Sequence, residues 1–339
     1  MIQHVIRTVT GGRDLSRDEA FETMQIIMDG GATPSQIAAF LIAEKCKGET
    51  LEEVTGFAKA MRQKATTVKT KHRNAIDMCG TGGDGAGTFN ISTVASFVVA
   101  GGGVPVAKHG NRSVSSRCGS ADLLETLGVN IDLSAEQIGN CLDELGIAFL
   151  FAPVLHKAMK HAVVPRREIG VRTVFNLLGP MTNPAAVTRQ VMGVYHPDVK
   201  RLVAEVFREL GAEHIFVVHS ADGLDEVSIY DATPVIELKA GEILERRFTP
   251  EDFGLIRNAA NGVQGGSPEE NAQIVKEVLG GKKSPARDFV IANAACGFVV
   301  GGAAQSLKEG AELAAESIDS RKANEKLLAL IEMTQAMVS

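Results

Sequence analysis

A glycine-rich stretch, residues 79–87, is the part of this sequence best suited to binding a phosphate group. Five glycines stand among the ten residues from Cys79 to Thr88, between a strand-like run, 76–78, and a helical run, 92–100. Glycine lets the backbone turn sharply and point its N–H groups into one concavity. The free N–H groups at the start of the next helix favour an anion there. The stretch therefore predicts a phosphate site after a strand.

Two common phosphate loops do not fit this stretch. Gly80, Gly82 and Gly85 match the dinucleotide fingerprint, but that motif needs an acidic residue about 20 positions later. The corresponding residues, 99–110, contain no acid and offer Lys108 instead. A Walker A loop needs Gly-Lys-Ser/Thr, which the stretch lacks. A phosphate or pyrophosphate site of another kind remains.

A second polar cluster, residues 108–120, predicts another anion site. It supplies three cations, one amide and four hydroxyls between a strand-like run, 104–107, and a helical run, 121–127. Lys108 offers a point charge and the serines offer hydrogen-bond donors. A basic loop by itself is more often a solvated turn. Ligands bind at the carboxyl ends of parallel strands, so two such loops at consecutive strand ends favour a shared phosphate site.

Composition excludes several classes of protein. The 339 residues are 45% hydrophobic and 22% charged, which is typical of a folded chain. The net charge of −6 argues against a nucleic-acid partner. Five cysteines without a Cys-x-x-Cys pair argue against disulfides and structural zinc, and predict a cytoplasmic location. We expect no secretory signal and no membrane association, because the N-terminus lacks a basic-then-apolar segment and the apolar runs are short.

The first part of the chain, residues 1–66, reads as helices joined by tight turns. Ser16-Arg17-Asp18-Glu19 and Thr50-Leu51-Glu52-Glu53 are capping-box patterns. Pro34 follows Thr33 at a first helical position, where its missing N–H does no harm. These patterns predict a small all-helical domain.

After a polar linker, residues 67–74, short strand-like runs alternate with helical ones. Such alternation is typical of an α/β fold with a mainly parallel sheet. We therefore expect a large α/β domain made of residues 75–164 and 186–339. The segment 165–185 interrupts the pattern, and we expect it to cross back to the helical domain.

The motifs together resemble those of one family. The following segments occur in order across essentially the whole chain, and they are similar to the signatures of the anthranilate phosphoribosyltransferase family: Gly80-Thr81-Gly82-Gly83-Asp84, Asn90-Ile91-Ser92-Thr93, Lys108-His109-Gly110-Asn111-Arg112, Gly119-Ser120-Ala121-Asp122, His156-Lys157-Ala158-Met159, Arg166-Arg167-Glu168-Ile169-Gly170, Phe175-Asn176-Leu177-Leu178-Gly179-Pro180 and Gly223-Leu224-Asp225-Glu226. The family usually has proline at position 157 and leucine at position 169.

The resemblance implies a fold of the nucleoside phosphorylase and phosphoribosyltransferase type, with the helical domain hinged to the α/β domain. It implies transfer of a phosphoribosyl group from 5-phosphoribosyl 1-diphosphate to anthranilate, on the route from chorismate to tryptophan. The donor would bind the α/β domain with Mg²⁺, and anthranilate would enter between the domains. The resemblance also suggests a homodimer formed through the N-terminal helices.

The resemblance implies roles for individual residues. Donor binding falls to the glycine loop, the next helix start and the lysine cluster: Gly80, Gly83, Asp84, Thr88, Asn90, Ile91, Ser92, Thr93, Lys108, His109, Gly110, Asn111, Arg112, Ser113, Val114, Ser115, Ser116 and Ser120. Ser92, Asp225 and Glu226 would contact magnesium. Gly80, Asn111 and Arg166 would contact anthranilate.

The residue types suit these roles chemically. Asp225 and Glu226 follow an apolar strand and offer the adjacent hard oxygens that Mg²⁺ prefers, although without a phosphate loop an exposed acidic turn would be the better interpretation. Arg166 can pair with a carboxylate in a fork. A surface arginine is the alternative, and Arg167 beside it could take the role instead. We expect His156 to line the acceptor pocket rather than to act as a base.

The predicted reaction is displacement at the anomeric carbon of the donor. Diphosphate would leave with its charge neutralised by Mg²⁺, Lys108 and the loop amides. The amino group of anthranilate would then attack, and no protein acid or base is assigned. Two other classes remain open: a pyrimidine nucleoside phosphorylase, which shares similar loops but needs no acidic metal pair, and a non-catalytic module that senses phosphoribosyl compounds.

Overall fold

The computed structural model describes residues 1–113, 117–257 and 263–337. Its N-terminal part consists of four helices: α1 (Ile2–Thr10), α2 (Arg17–Met28), α3 (Pro34–Lys47) and α4 (Leu51–Lys64).

Side-chain caps explain where these helices begin. The capping boxes predicted at Ser16 and Thr50 are confirmed, each with a glutamate three residues on that bonds back to the cap. Thr33 forms a third box with Gln36, and Pro34 holds the predicted first position of α3. Each box satisfies N–H groups that a helix start would otherwise leave unpaired.

The rest of the chain is built on one sheet. Its order is β3-β2-β1-β4-β5-β6-β7; neighbours are parallel from β3 to β5, and β6 and β7 are antiparallel. The mainly parallel sheet agrees with the predicted fold class, whereas the terminal hairpin was not predicted. The strands are β1 (Ile76–Gly80), β2 (Val106–Gly110), β3 (Ile147–Phe151), β4 (Arg189–Gly193), β5 (His214–Val218), β6 (Thr233–Lys239) and β7 (Glu242–Phe248).

Helices cover both faces of this sheet. One core lies between the sheet and the helices that follow β1 and β2 together with the C-terminal helices, and a second core joins the opposite face to the N-terminal helices. The remaining helices are α5 (Ile91–Gly101), α6 (Ser120–Thr126), α7 (Ala135–Leu145), α8 (Ala152–Leu155), α9 (Lys160–Ile169), α10 (Val174–Met181), α11 (Val199–Glu209), α12 (Pro268–Leu279), α13 (Pro285–Gly301), α14 (Leu307–Asp319) and α15 (Lys322–Ala336).

Helices α9 and α10 occupy the segment that interrupts the strand pattern. Both pack on the N-terminal helices: α9 contacts α2 and α3, and α10 contacts α3 and α4. Pro165 lies inside α9, and the helix ends at Gly170, which has a left-handed φ of 62°. Pro165 therefore lies within this helix and Gly170 ends it. The helix begins at Lys160, which precedes the segment 165–185 that was predicted to cross over.

One predicted strand boundary is wrong. The apolar run 104–107 was expected to end a strand, with Lys108 opening a loop. Strand β2 instead runs from Val106 to Gly110, because β1 and β3 flank it and its backbone pairs with β3 through Gly110. Lys108 and His109 are consequently buried strand residues.

No helix among the described residues is both long and apolar enough to cross a lipid bilayer.

Candidate functional site

The strand order places the polar loops at one edge of the sheet. Strands β2 and β3 lie on one side of β1, and β4 and β5 lie on the other. The carboxyl ends of β1 and β4 therefore form a topological switch point, where open α/β sheets bind their ligands. The glycine loop after β1 and the acidic pair after β5 both reach this edge.

The glycine loop contacts the acidic pair directly. The N–H of Gly82 donates to Oδ2 of Asp225 over 3.0 Å. The N–H of Asp225 donates in turn to Oδ2 of Asp84 over 3.3 Å. The loop is also joined to β4, because the N–H of Thr81 donates to the carbonyl of Gly193 over 2.9 Å. Two segments more than 140 residues apart thus form one cluster.

Gly193, at the end of β4, is a site residue that sequence reasoning missed. A Cβ built on it would lie 1.6 Å from the carbonyl oxygen of Asp225. Only glycine lets the backbone that carries the acidic pair approach β4 this closely. A lone glycine at a strand end gives no signal of this packing in the sequence.

Lys108 reaches the same cluster from β2. Its side chain is buried, and Nζ donates to the carbonyl of Met78 over 2.5 Å and to Oγ of Ser92 over 3.4 Å. Desolvation lowers the pKa of Lys108, and the negative charges of Asp77 and Glu226 oppose that shift. A cation is therefore held beside the start of α5.

The negative charge of Asp77 offsets the positive charge of Lys108. Sequence reasoning gave Asp77 no role in the site. It is fully buried in β1, and burial raises its pKa while the charge of Lys108 opposes the rise. Its carboxylate accepts from the N–H of His109 over 3.0 Å and from Nδ2 of Asn183 over 2.8 Å. The signal in the sequence was a charged residue between two apolar ones, since a charge in a buried strand needs partners.

Asp225 and Glu226 are carboxylates in a poorly solvated position. Desolvation raises the pKa of Asp225 to about 7 and that of Glu226 to about 8. The charge of Asp84 adds to the first rise and that of Asp225 adds to the second. The N–H of Ser92 donates to Oε1 of Glu226 over 3.1 Å. Crowded carboxylate oxygens that repel one another fit a divalent cation.

The described residues contain no group of three or more His, Cys, Asp or Glu side chains arranged to hold a metal ion. A pair of carboxylates is nevertheless what Mg²⁺ commonly takes from a protein, because substrate phosphates and water complete its six oxygens. Asp225, Glu226 and the hydroxyl of Ser92 therefore fit a magnesium ion that is shared with a phosphate ligand.

The start of α5 is held in place by its neighbours. Asn90 donates from Nδ2 to the carbonyl of Cys118 over 3.1 Å and accepts from Nδ2 of Asn271 over 3.1 Å. Thr88 forms an isolated antiparallel bridge with Gln264. Among the residues predicted to hold the donor, Ile91 and Thr93 are buried in the first turn of α5. The start of α5 is therefore tied to the residues before α6 and to α12.

The loop after β2 is only partly described. Val114, Ser115 and Ser116, predicted to bind the donor, lie outside the described residues. Arg112 forms ion pairs with Asp122, at 3.2 Å, and with Glu125. Its guanidinium is thus already paired with carboxylates of α6. The N–H of Ser113 donates to Oδ2 of Asp122 over 3.1 Å.

Other predicted loop residues lie around the same turn. The carbonyl of Asn111 accepts from the hydroxyl of Ser120 over 3.2 Å. A Cβ on Gly110 would lie 2.4 Å from that hydroxyl oxygen. The side chain of Asn111 is exposed and accepts only from the N–H of Arg112, over 2.8 Å, in the described part of the chain.

His109 and His156 form a pair of uncharged rings. Their centroids are 5.1 Å apart. Desolvation lowers the pKa of His109 to about 3 and that of His156 to about 4, and each ring hydrogen-bonds to the backbone of α10 or the residue after it, at Gly179 and Thr182 respectively. Within the described ranges, Nε2 of each ring is buried without a hydrogen-bond partner. The rings thus present unpaired nitrogens beside the predicted acceptor residues.

Arg166 of α9 also packs against α10. It is half-buried, and its guanidinium stacks 5.1 Å from the ring centroid of Phe175 in α10. Burial lowers its pKa. No carboxylate of the described chain lies within ion-pair distance of it. Arg167, the alternative, is exposed.

The predicted residues fall into two groups in the structure. Hydrogen bonds connect the glycine loop, Ser92, Lys108 and the acidic pair. A second group, made of His109, His156 and Arg166, packs against α10 and the residue after it. The assignment of each residue to a substrate stays a prediction.

Comparison with known proteins agrees with this arrangement. A model of the glycosyl transferase family helical bundle domain matches residues 3–65, and a model of the glycosyl transferase family a/b domain matches residues 72–324. The chain is 54% identical to an anthranilate phosphoribosyltransferase from Pelotomaculum thermopropionicum, over 98% of this chain and 97% of the relative.

Solved structures agree as well. The crystal structure of anthranilate phosphoribosyltransferase from Thermus thermophilus is 42% identical and superposes with a TM-score of 0.93, over 98% of this chain and 99% of that one. The Saccharomyces cerevisiae enzyme in complex with PRPP and Mg is 28% identical with a TM-score of 0.91, over 99% of this chain and 98% of that one. The chain belongs to the anthranilate phosphoribosyltransferase family.

Proposed function

We propose that this protein transfers the phosphoribosyl group of 5-phosphoribosyl 1-diphosphate to the amino group of anthranilate. The products are N-(5-phosphoribosyl)anthranilate and diphosphate, and the reaction is a step of tryptophan biosynthesis. The observation that carries the proposal is the cluster in which Gly82, Ser92, Lys108, Asp225 and Glu226 meet at the switch point of the sheet.

The donor's diphosphate binds this cluster. Other backbone N–H groups of the glycine loop and of the α5 start donate to the diphosphate, since those of Gly82 and Ser92 bond to the acidic pair. The ammonium of Lys108 is fixed beside Ser92 before any ligand arrives. Because Lys108 does not have to reorganise, it stabilises the negative charge that grows on the departing diphosphate.

Ser92, Asp225 and Glu226 would hold Mg²⁺ against the diphosphate. When bound, the ion neutralises charge on the leaving group. Burial in the protein raises the pKa values of both carboxyl groups, and the positive charge of the bound ion would favour their ionised form. The cation binds less tightly as pH falls and protons compete for the same oxygens.

Anthranilate is placed by the group around α10. The half-buried guanidinium of Arg166 pairs with its carboxylate, and Gly80 and Asn111 contact the ring. His156 lines the acceptor pocket and is uncharged, so it does not repel the electron-poor ribosyl carbon. The amine attacks that carbon as the bond to diphosphate breaks. Its proton then passes to water or to the departing diphosphate, so no protein base is required.

Anthranilate fluorescence tests the proposal. We expect it to fall with time only when both 5-phosphoribosyl 1-diphosphate and Mg²⁺ are present. Turnover of thymidine with inorganic phosphate would instead identify a nucleoside phosphorylase. Binding of the donor without any loss of fluorescence would identify a sensing module. Either result would overturn the proposal.

Substitutions at the cluster test its chemistry. Lys108→Met keeps the buried stem but removes the charge, and Asp225→Asn with Glu226→Gln removes the metal ligands. We expect kcat/KM to fall by about 100-fold or more in each, as for the loss of a preorganised charge contact. The matched control is Lys276→Met, an exposed lysine on α12. Wild-type rates in the cluster variants would contradict the mechanism.

The protein is further proposed to be a cytoplasmic homodimer that associates through its helical domain. The apolar side chains of Ile42 on α3 and of Val163 and Val164 on α9 are 36%, 50% and 41% exposed, and α3 packs against α9. Such a surface is covered when a second copy binds it. All five cysteines are free, which agrees with a reducing compartment.

Sedimentation measures the assembly. Val164→Glu places a charge on the proposed interface, and we expect it to shift the protein from dimer to monomer at micromolar concentration. Leu328→Glu, at an exposed position of α15, is the matched control and should leave the dimer unchanged. A wild-type monomer would show that the apolar surface has another role.

A further inference from the structure

We propose that Arg172 is a second cation for the donor's diphosphate, presented to the glycine loop from the segment between α9 and α10. The inference rests on the proposed function, since it assigns a further residue to the same donor site. Neither the glycine loop nor the lysine cluster contains this arginine, and its role depends on the fold.

The guanidinium of Arg172 lies against the glycine loop. A Cβ built on Gly83 would be 2.8 Å from Nη2 of Arg172 and 3.3 Å from its central carbon. Gly83 also has a φ of +78°, which disfavours any other residue. The absence of a side chain therefore lets the guanidinium approach the loop backbone, at the point where the loop is expected to hold phosphate.

An aromatic ring fixes the guanidinium in this position. It stacks 4.8 Å from the ring centroid of Tyr195, two residues after β4. The N–H of Tyr195 donates to Oγ1 of Thr81 over 2.9 Å, so the ring is attached to the loop itself. A planar guanidinium stacks on an aromatic face and still offers its N–H groups sideways. Arg172 is thus oriented before a ligand binds.

The charge of Arg172 is not used elsewhere in the described chain. No Asp or Glu of residues 1–113, 117–257 or 263–337 lies within 4.0 Å of its guanidinium, whereas Arg112 in the second predicted loop is paired with Asp122 and Glu125. The residue is exposed at the rim of the loop. A cation oriented at the proposed phosphate loop, in addition to the buried Lys108, suits a ligand that carries two linked phosphates.

Steady-state kinetics test the assignment. Arg172→Met keeps the length of the side chain and removes the charge, and we expect it to raise KM for 5-phosphoribosyl 1-diphosphate about tenfold. Inhibition by inorganic diphosphate should weaken by a similar factor. KM for anthranilate and the melting temperature should stay at the wild-type values. Arg172→Lys should recover part of the loss, because it restores charge without the planar fork.

Substitutions of Tyr195, the ring on which Arg172 stacks, and a control variant complete the test. Tyr195→Leu removes the stacking face and should raise the donor KM, whereas Tyr195→Phe keeps the face and should not. Arg208→Met, an exposed arginine on α11, should behave as wild type. A donor KM within about twofold of wild type in Arg172→Met would overturn the inference. So would a rise in the anthranilate KM alone, which would place Arg172 on the acceptor.

Failure of the inference can be told apart from failure of the proposed function. If the wild-type protein does not consume anthranilate, the proposed function fails. Calorimetric titration of the protein with inorganic diphosphate, in the presence of Mg²⁺, then tests separately whether Arg172 binds diphosphate. Tenfold weaker binding to Arg172→Met would still support the cation site, and unchanged binding would refute it.

Discussion

At the scale of single residues, two neighbouring arginines of α9 have different environments. Arg166 is half-buried and stacked on Phe175, while Arg167 is exposed. A bidentate pair with a carboxylate stabilises most where water is excluded. We therefore expect Arg166→Met to raise KM for anthranilate at least about tenfold and to leave KM for the donor unchanged. Initial rates at varied anthranilate measure this.

Arg167→Met is the matched control, because it removes the same group one position along the helix. It should leave both KM values within about twofold of wild type. The reverse pattern would move the contact with the carboxylate to Arg167. The sequence alone left these two arginines as alternatives, since neither spacing nor composition reveals which side chain faces inward.

At the scale of elements, one buried amide of α13 holds the segment that follows the acidic pair. Nδ2 of Asn293 donates to the carbonyl of Val227 over 3.0 Å, and its Oδ1 accepts from the N–H of Val227 over 2.9 Å. Val227 comes directly after Glu226. Asn293→Leu would leave both buried backbone groups unpaired, at a cost of about 2–4 kcal/mol in the free energy of unfolding.

Because Glu226 would lose its support, we also expect the Mg²⁺ concentration for half-maximal rate to rise in Asn293→Leu. Chemical denaturation and metal titration measure the two effects. Asn140→Leu, an exposed position on α7, is the control and should change neither quantity. An Asn293→Leu protein that is destabilised but keeps the wild-type Mg²⁺ requirement would show that Asn293 serves stability alone.

At the scale of the whole molecule, a buried carboxyl group makes stability depend on pH. Glu44 of α3 is fully buried, its oxygens have no hydrogen-bond partner among the described residues, and Nζ of Lys47 is 3.9 Å away. Desolvation raises the pKa of Glu44 from 4.5 to about 8, and the charge of Glu53 adds to the rise. The folded state therefore holds a proton that the unfolded chain releases.

With the folded pKa above the unfolded value, this group lowers stability as pH rises from 4.5 to about 8. Glu44→Gln removes the ionisation. We expect the variant to unfold in urea with a free energy about 1–3 kcal/mol higher than wild type at pH 9, and with little difference at pH 5. Glu22→Gln, an exposed position on α2, is the control. An equal difference at both pH values would contradict the assignment.

Much of the fold followed from local patterns. Helix starts at Ser16, Pro34 and Thr50 were predicted, because a cap depends on residues within one turn. The end of β2 was not predicted, since pairing with β3 carries the strand through Lys108 and His109. A polar residue in a central strand looks like a loop residue until its partner is known; here the partner of Lys108 is the carbonyl of Met78.

The sequence by itself was enough to predict a phosphate site near the glycine loop and, through its motifs, to indicate the family to which the chain belongs. Its motifs are contiguous, and turn geometry acts over a few residues. The tertiary structure decided which distant groups complete the loop. Gly82 contacts Asp225, and Gly193 allows the acidic segment to approach, because β4 lies beside β1; Arg172 reaches Gly83 from the segment between α9 and α10. Strand order is set by packing of the whole sheet, which no local pattern contains.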